Sequence, residues 1–266
     1  MNRVIDCEER GAVPLVSPER ALYVYGIVRA ARPLHFDAAA IDERWPVRTI
    51  HHQGLAAVVS EVPAAALEAT RANLLAHERV NAAILRDHTV IPMSFGTVFR
   101  SREDVEELLR SAHDTFVDVL AKVHGKIEFG LKVLWDRDQA IAAIEAQDEE
   151  IRELRRALAS PQAPAFATRM EYGQRLDAAL VRRAQAHAAE FLERLRDVCV
   201  ASRCNPTVGD RMIMNAAFLV QRGREAAFEQ RVRALDDAFD GFTFQFSGPW
   251  PPYNFVAIRL RREQAE

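Results

Sequence analysis

Residues 126–136, KIEFGLKVLWD, constrain the fold more than any other stretch of this 266-residue chain. Ile127, Phe129, Leu131, Val133 and Trp135 alternate with Lys126, Glu128 and Lys132. A period of two fits a strand with one face in a core and the other toward water. Other strands gather around it. ALYVYGIVR (21–29) is β-branched and aromatic, with no breaker before Gly26. GLAAVVSEV (54–62) is apolar almost without interruption up to Pro63, which predicts burial on both faces. TVIPMSF (89–95) reads as a further strand, and Pro92 inside it predicts an edge or a bulge, because proline donates nothing to a ladder.

Helical periods separate these strands. Across 64–87, Leu67, Leu74, Leu75, Val80, Ile84 and Leu85 fall near spacings of three and four. Ser101 opens the next helix, with Asp104 three residues on and Glu103, Glu106 and Glu107 near the positive end of the dipole. Its buried stripe is Val105, Leu108, Leu109, Phe116, Val119, Leu120 and Val123, and Gly125 stops it. After Asp136 a charged helix covers 138–160, PQAPAF (161–166) is a linker, and a long helix is predicted over 168–201. Tyr172, Leu176, Leu180, Ala184, His187, Phe191, Leu195 and Val198 form its narrow apolar stripe. A strand at 212–221, a helix at 225–238, FTFQFSGP (242–249) and VAIRL (256–260) complete the pattern. Strand pairs crossed by a helix resemble half of a ferredoxin-like unit. The expected fold class is α+β in two domains. A loose N-terminal arm (1–20) precedes an N-terminal α+β domain (21–136) and a C-terminal ferredoxin-like domain with added long helices (137–266).

Composition excludes several functions. Thirty-five basic against 38 acidic side chains give a net charge of −3, so no basic surface is available to neutralise nucleic-acid phosphates. No window of about 20 apolar residues exists to span a membrane, and the first 20 residues lack the apolar core of a signal peptide. Cys7, Cys199 and Cys204 are an odd, sparse set that fits a reducing cytoplasm. Phosphate-binding glycine motifs, the GxSxG elbow and the zinc-protease helix signature are absent, so no cofactor and no catalytic residue is assigned. His77 and His88 on one predicted helix would stand about 16 Å apart, and adjacent His51 and His52 would point to opposite faces of a strand. Cys199 and Cys204 have no second cysteine pair, so no metal is expected.

One stretch stands out. Seven of the 21 aromatic residues lie between 239 and 255: Phe239, Phe242, Phe244, Phe246, Trp250, Tyr253 and Phe255. They surround SGPWPPY (247–253), whose three prolines fix φ and remove donors. Such a segment is stiff and apolar, which suits recognition at low entropy cost. It suits equally the closing of a core.

YVYGIV (23–28), GLAAVVSEVP (54–63), AHERVNAAILRDHTVIPMSFGTVF (76–99), FGLKVLWD (129–136) and FSGPWPPYNFV (246–256) occur in this order. Together they resemble the gas vesicle accessory proteins of the L/F type (GvpL/GvpF), over about residues 21–260. The helix followed by PMSFGTVF and the closing GPWPPYNFV are the specific parts. The resemblance implies a cytoplasmic, gas-vesicle-associated assembly protein and not an enzyme. It implies contact with the hydrophobic major shell protein and with other accessory proteins, with no nucleic acid, membrane or cofactor involved. The candidate contact residues are Trp250, Pro251, Pro252, Tyr253 and Phe255, with Phe95, Gly96 and Phe99 from the first half. A rival reading is a small-molecule enzyme on a ferredoxin-like scaffold. Its candidates are His77, Glu78 and His88 around the PMSFG strand, and a deep pocket beside a perturbed histidine would favour it.

Overall fold

The computed structural model describes residues 20–64, 67–160 and 166–256. The N-terminal arm, the core of the linker and the VAIRL strand beyond Val256 lie outside the described residues. The first sheet is built around β1 (Arg20–Arg29). Its order is β2 (Arg48–His52), β3 (Leu55–Pro63), β1, β4 (Val90–Pro92), with β5 (Val98–Phe99) also paired to β1, all antiparallel. β4 ends the order, where its proline can sit. Both faces are covered, as the apolar run of β3 requires. Tyr23, Tyr25, Ala56 and Val58 meet Val80, Ile84 and Leu85 of α1 (Arg71–Asp87). Leu22, Val24, Ala57 and Val59 meet Val105 and Leu109 of α2 (Arg102–Ser111) and Phe116 of α3 (His113–Val123).

A β-bulge in β1 adds Tyr25 between the pairs Val24–Val59 and Gly26–Val58. The bulge inverts the alternation, so Ile27 joins the even-numbered face and Val28 the odd-numbered one. Gly26 is where β4 passes closest: a Cβ there would stand 2.6 Å from Val90 Cγ2 and 2.9 Å from Ile91 O.

Three features of this half differ from the sequence reading. β2 has only Ile50 buried in RTIHH, so it shows no period; its signal is the two-residue turn Gln53–Gly54, with φ of 44° and 83°. α1 starts only at Arg71, where the Thr70 side chain accepts from the Asn73 N–H, and Leu74 and Leu75 of the expected stripe are 40% and 46% exposed. The helix opened by Ser101 has the expected capping box with Asp104, but it breaks at Ala112 into α2 and α3.

The second sheet has the order β7 (Ala201–Cys204), β8 (Met212–Gln221), β6 (Lys126–Trp135), β9 (Phe242–Trp250), again antiparallel. α4 (Arg137–Gln147), α5 (Glu149–Leu158) and α6 (Phe166–Leu195) link β6 to β7, and α7 (Glu225–Ala238) links β8 to β9. This is the complete β-α-β-β-α-β order of a ferredoxin-like unit, with β6 as its first strand. The reading that left β6 with the first half is corrected by its hydrogen bonds, which run to β8 and β9. The helix expected over 138–160 divides at Asp148, whose carboxylate accepts from the Ile151 N–H and restarts the helix. α6 stops at Leu195, and a 3-10 turn (Arg196–Val198) leads into β7, which is too short and polar to show a period. Leu176, Leu180, Phe191 and Leu195 of its stripe are buried. Phe242, Phe244 and Phe246 pack from β9 against the same core, which includes residues of both sheets.

Candidate partner-binding site

The aromatic-proline segment leaves β9 at Trp250 and turns through Tyr253–Phe255 in one 3-10 turn. Pro251 and Pro252 are buried, while Trp250 and Phe255 are half-buried. With neither proline able to donate, the anchoring falls on Asn254. Its backbone N–H donates to Glu128 Oε2 at 2.8 Å and its Nδ2 donates to Oε1 at 2.6 Å. Arg203 Nη1 donates to the Asn254 carbonyl at 2.6 Å. Glu128, read as water-facing, is only 4% exposed; the segment folds back over it. Burial pushes its carboxyl up, against the two Asn254 hydrogen bonds that pull it down.

Anchored in this way, Tyr253 reaches the first sheet. Its hydroxyl lies 3.0 Å from His77 Nε2 on α1. Asn81 Nδ2 donates to the His77 carbonyl at 3.2 Å and also lies 3.1 Å from Nε2. An amide nitrogen presents hydrogens, so Nε2 accepts, and we assign the ring proton to Nδ1. Nδ1–H then donates to the Tyr23 hydroxyl at 2.8 Å, which also accepts from the Gly96 N–H at 3.2 Å. The Phe95 ring completes the enclosure, 6.0 Å from the His77 ring and 6.1 Å from the Tyr23 ring. Burial raises the Tyr253 phenol, whose hydroxyl meets His77, although 37% of the residue as a whole stays exposed.

Of the eight candidate contact residues, three thus meet around His77 and Tyr23: Tyr253, Phe95 and Gly96. Trp250, Pro251 and Pro252 lead into Tyr253, and Phe255 follows it in the same 3-10 turn. Phe99 is placed elsewhere, opposite Leu22 on β5 and against the even-numbered face.

His77 is 4% exposed, and burial lowers its pKa from 6.5 to about 4. The unfolded chain therefore takes up this proton first as pH falls. Stability conferred by the neutral ring is complete above pH 6.5 and is lost down to about pH 4, on the order of 3 kcal/mol in all. Thermal unfolding from pH 7 to pH 4.5 is expected to show a shallower decline for His77→Gln than for the natural chain. Equal slopes would show that His77 remains accessible to protons in the folded state.

A sequence model of the family described as gas vesicle synthesis protein GvpL/GvpF matches residues 21–257. The chain belongs to the GvpL/GvpF family. It is 30% identical to gas vesicle protein F2 of Halobacterium salinarum, over 93% of this chain and 97% of that one. It is likewise 30% identical to gas vesicle protein L of a Streptomyces species, over 91% and 95%. The crystal structure of GvpF from Microcystis aeruginosa superimposes with a TM-score of 0.75 at 26% identity, covering 90% of this chain and 99% of that chain. GvpF from Anabaena sp. PCC7120 shares the fold at a TM-score of 0.79 and 24% identity, over 90% and 99%.

In this GvpL/GvpF chain the enzyme candidates do not assemble. Glu78 is exposed on α1, and His88 caps the end of the same helix with its ring 6.1 Å from Phe36. Among the described residues, no group of three or more histidines, cysteines and acids could hold a metal ion, and no helix is long and apolar enough to cross a membrane. The sequence reading missed Tyr23, Asn81, Glu128, Arg203 and Asn254. Tyr23 has a signal, since a hydroxyl inside a strand buried on both faces must find a partner. Glu128 and Asn254 have none, because each is explained only by the other.

Proposed function

We propose that this chain is a non-catalytic accessory protein of gas vesicle assembly. It acts in the cytoplasm, binding the hydrophobic major shell protein and other accessory proteins through the surface around Tyr253 and Phe95. Family membership supports the role. The observation that carries the site is the meeting of the closing aromatic-proline segment with the PMSFG turn on the two sides of His77. Beside it on α1, Leu74, one turn before His77, is 40% exposed, and Tyr253 itself is 37% exposed. A shell subunit that hides apolar surface in the polymer needs that surface covered beforehand, and apolar side chains on a soluble partner supply the cover.

An enzyme built around His77 meets a geometric obstacle. A general base must reach its substrate, whereas Tyr23 and Tyr253 occupy both ring nitrogens. The test is a pull-down with purified major shell protein. Trp250→Ala combined with Tyr253→Ala is expected to weaken capture at least about tenfold, the usual effect of losing two aromatic anchors. Tyr253→Phe, which keeps the ring, is expected to retain most of it. Undiminished capture by a folded double variant would place the shell-binding surface elsewhere.

A further inference from the structure

A sheet edge offers a row of unpaired N–H and C=O groups to any chain, and natural sequences guard it with shortness, charge or proline. β2 has five residues and carries Arg48, β4 has three and carries Pro92, and β7 has four and carries Arg203. β9, at the end of the second sheet, lacks this protection. It runs for nine residues, and its first two thirds, FTFQFS (242–247), hold neither charge nor proline. Thr243, Gln245 and Ser247 are exposed, and Phe242, Phe244 and Phe246 are half-buried.

Hydrogen bonding fixes which groups this edge presents. The Gly125 carbonyl accepts from the Arg222 N–H at 2.8 Å, and the Arg211 carbonyl accepts from the Trp135 N–H at 2.9 Å. Odd-numbered residues along β6 therefore bond toward β8. The Asp136 N–H donates to the Gly241 carbonyl at 3.1 Å, so even-numbered residues bond toward β9. Lys132 and Leu134 thus take Gln245 and Thr243 as their bonded partners. The N–H and C=O groups of Phe242, Phe244 and Phe246 point away from β6, and among the described residues no backbone group meets them.

We propose that two copies of this chain pair β9 with β9, antiparallel, about a twofold axis at Phe244. This axis sets Phe244 against the partner's Phe244 and Phe242 against the partner's Phe246. Each of these pairs has its bonding groups outward and can exchange two N–H···O bonds. The phenylalanines meet on the face that packs against Phe191 and Phe228, and Thr243 meets the partner's Gln245 on the other face. The two four-stranded sheets become one continuous sheet. An isologous contact sets a surface against itself, so charges near the axis would meet their like. Between Asp240 and Val256 the sequence has no charged residue, and Asp240 itself falls opposite the partner's Gly248. The strand is therefore complementary to its own copy in hydrogen bonds, side chains and charge.

The test is analytical ultracentrifugation of the full chain from about 1 to about 100 μM, a range in which the natural chain is expected to dimerise. Thr243→Glu with Gln245→Glu sets acids against acids across the axis and is expected to weaken the dimer at least about tenfold. Both positions are exposed, and position 245 lies opposite Lys132 within the chain, so circular dichroism should show an unchanged fold. Thr243→Lys with Gln245→Lys should dissociate in the same way, and an equimolar mixture of the two variants should dimerise again. A natural chain that stays monomeric leaves the edge to a strand of some other protein and overturns the proposal. So does a dimer that the glutamate variant retains, or a mixture no more associated than its separate components.

Discussion

Replacing Phe191 with alanine is expected to cost about 3–5 kcal/mol of folding stability, the range for emptying a fully enclosed aromatic site. Phe191 is 0% exposed, and its ring meets Phe239 at 5.0 Å, Phe244 at 5.1 Å and Phe242 at 5.5 Å, each edge-on. The contact fastens α6 to β9 and to the end of α7 at one point. Edge-to-face rings of this kind add to plain burial, so the loss should lie toward the upper end. Urea unfolding would register it as a lower midpoint with an unchanged slope. A loss of under about 1 kcal/mol would mean that the neighbouring rings close over the gap.

The second large effect is expected at Gly248. Its φ is +122°, which side chains rarely adopt, and a Cβ there would stand 2.8 Å from Phe129 Cδ1 and 2.9 Å from the Glu128 carbonyl oxygen. Gly248→Ala therefore adds backbone strain to a clash with β6, about 3–5 kcal/mol together. The damage should spread along the chain, because Gly248 sets the path of the last residues of β9 toward Asn254. Hydrogen exchange offers the specific reading. The Asn254 amide, held by Glu128, should exchange much faster in the variant. An unchanged exchange rate at that amide would show that the anchor forms independently of the path leading to it.

Much of the fold is legible in the sequence where burial imposes a period. β6, β3, β8 and α7 are visible because their apolar positions repeat against water or run on without it. β2 and β7 are hidden because strands of five and four residues with polar ends carry no period. The helix breaks at Ala112 and Asp148 involve neither glycine nor proline; the second is marked only by an aspartate followed by two glutamates, an N-cap signal set inside a helical run. Sheet membership is the deeper gap. β6 reads correctly as a strand, but its neighbours follow β7 to β9, and only hydrogen bonding over long sequence distances assigns it. The site divides in the same way. The aromatic-proline segment stands out by composition, whereas the polar cluster that seats it joins Tyr23, His77, Glu128, Arg203 and Asn254, which no local pattern connects.

That cluster also has a schedule. Tyr23, His77 and Gly96 leave the ribosome early, and Tyr253 follows only after every described strand has been made. At roughly 5–20 residues per second, the delay is roughly ten to thirty seconds. Through that interval α1 and β1 can pair and pack, but His77 lacks the hydroxyl that meets its Nε2, and the helix face around it stays open to the cell. Closure of that face therefore waits on the last strand of the second sheet and the segment that follows it.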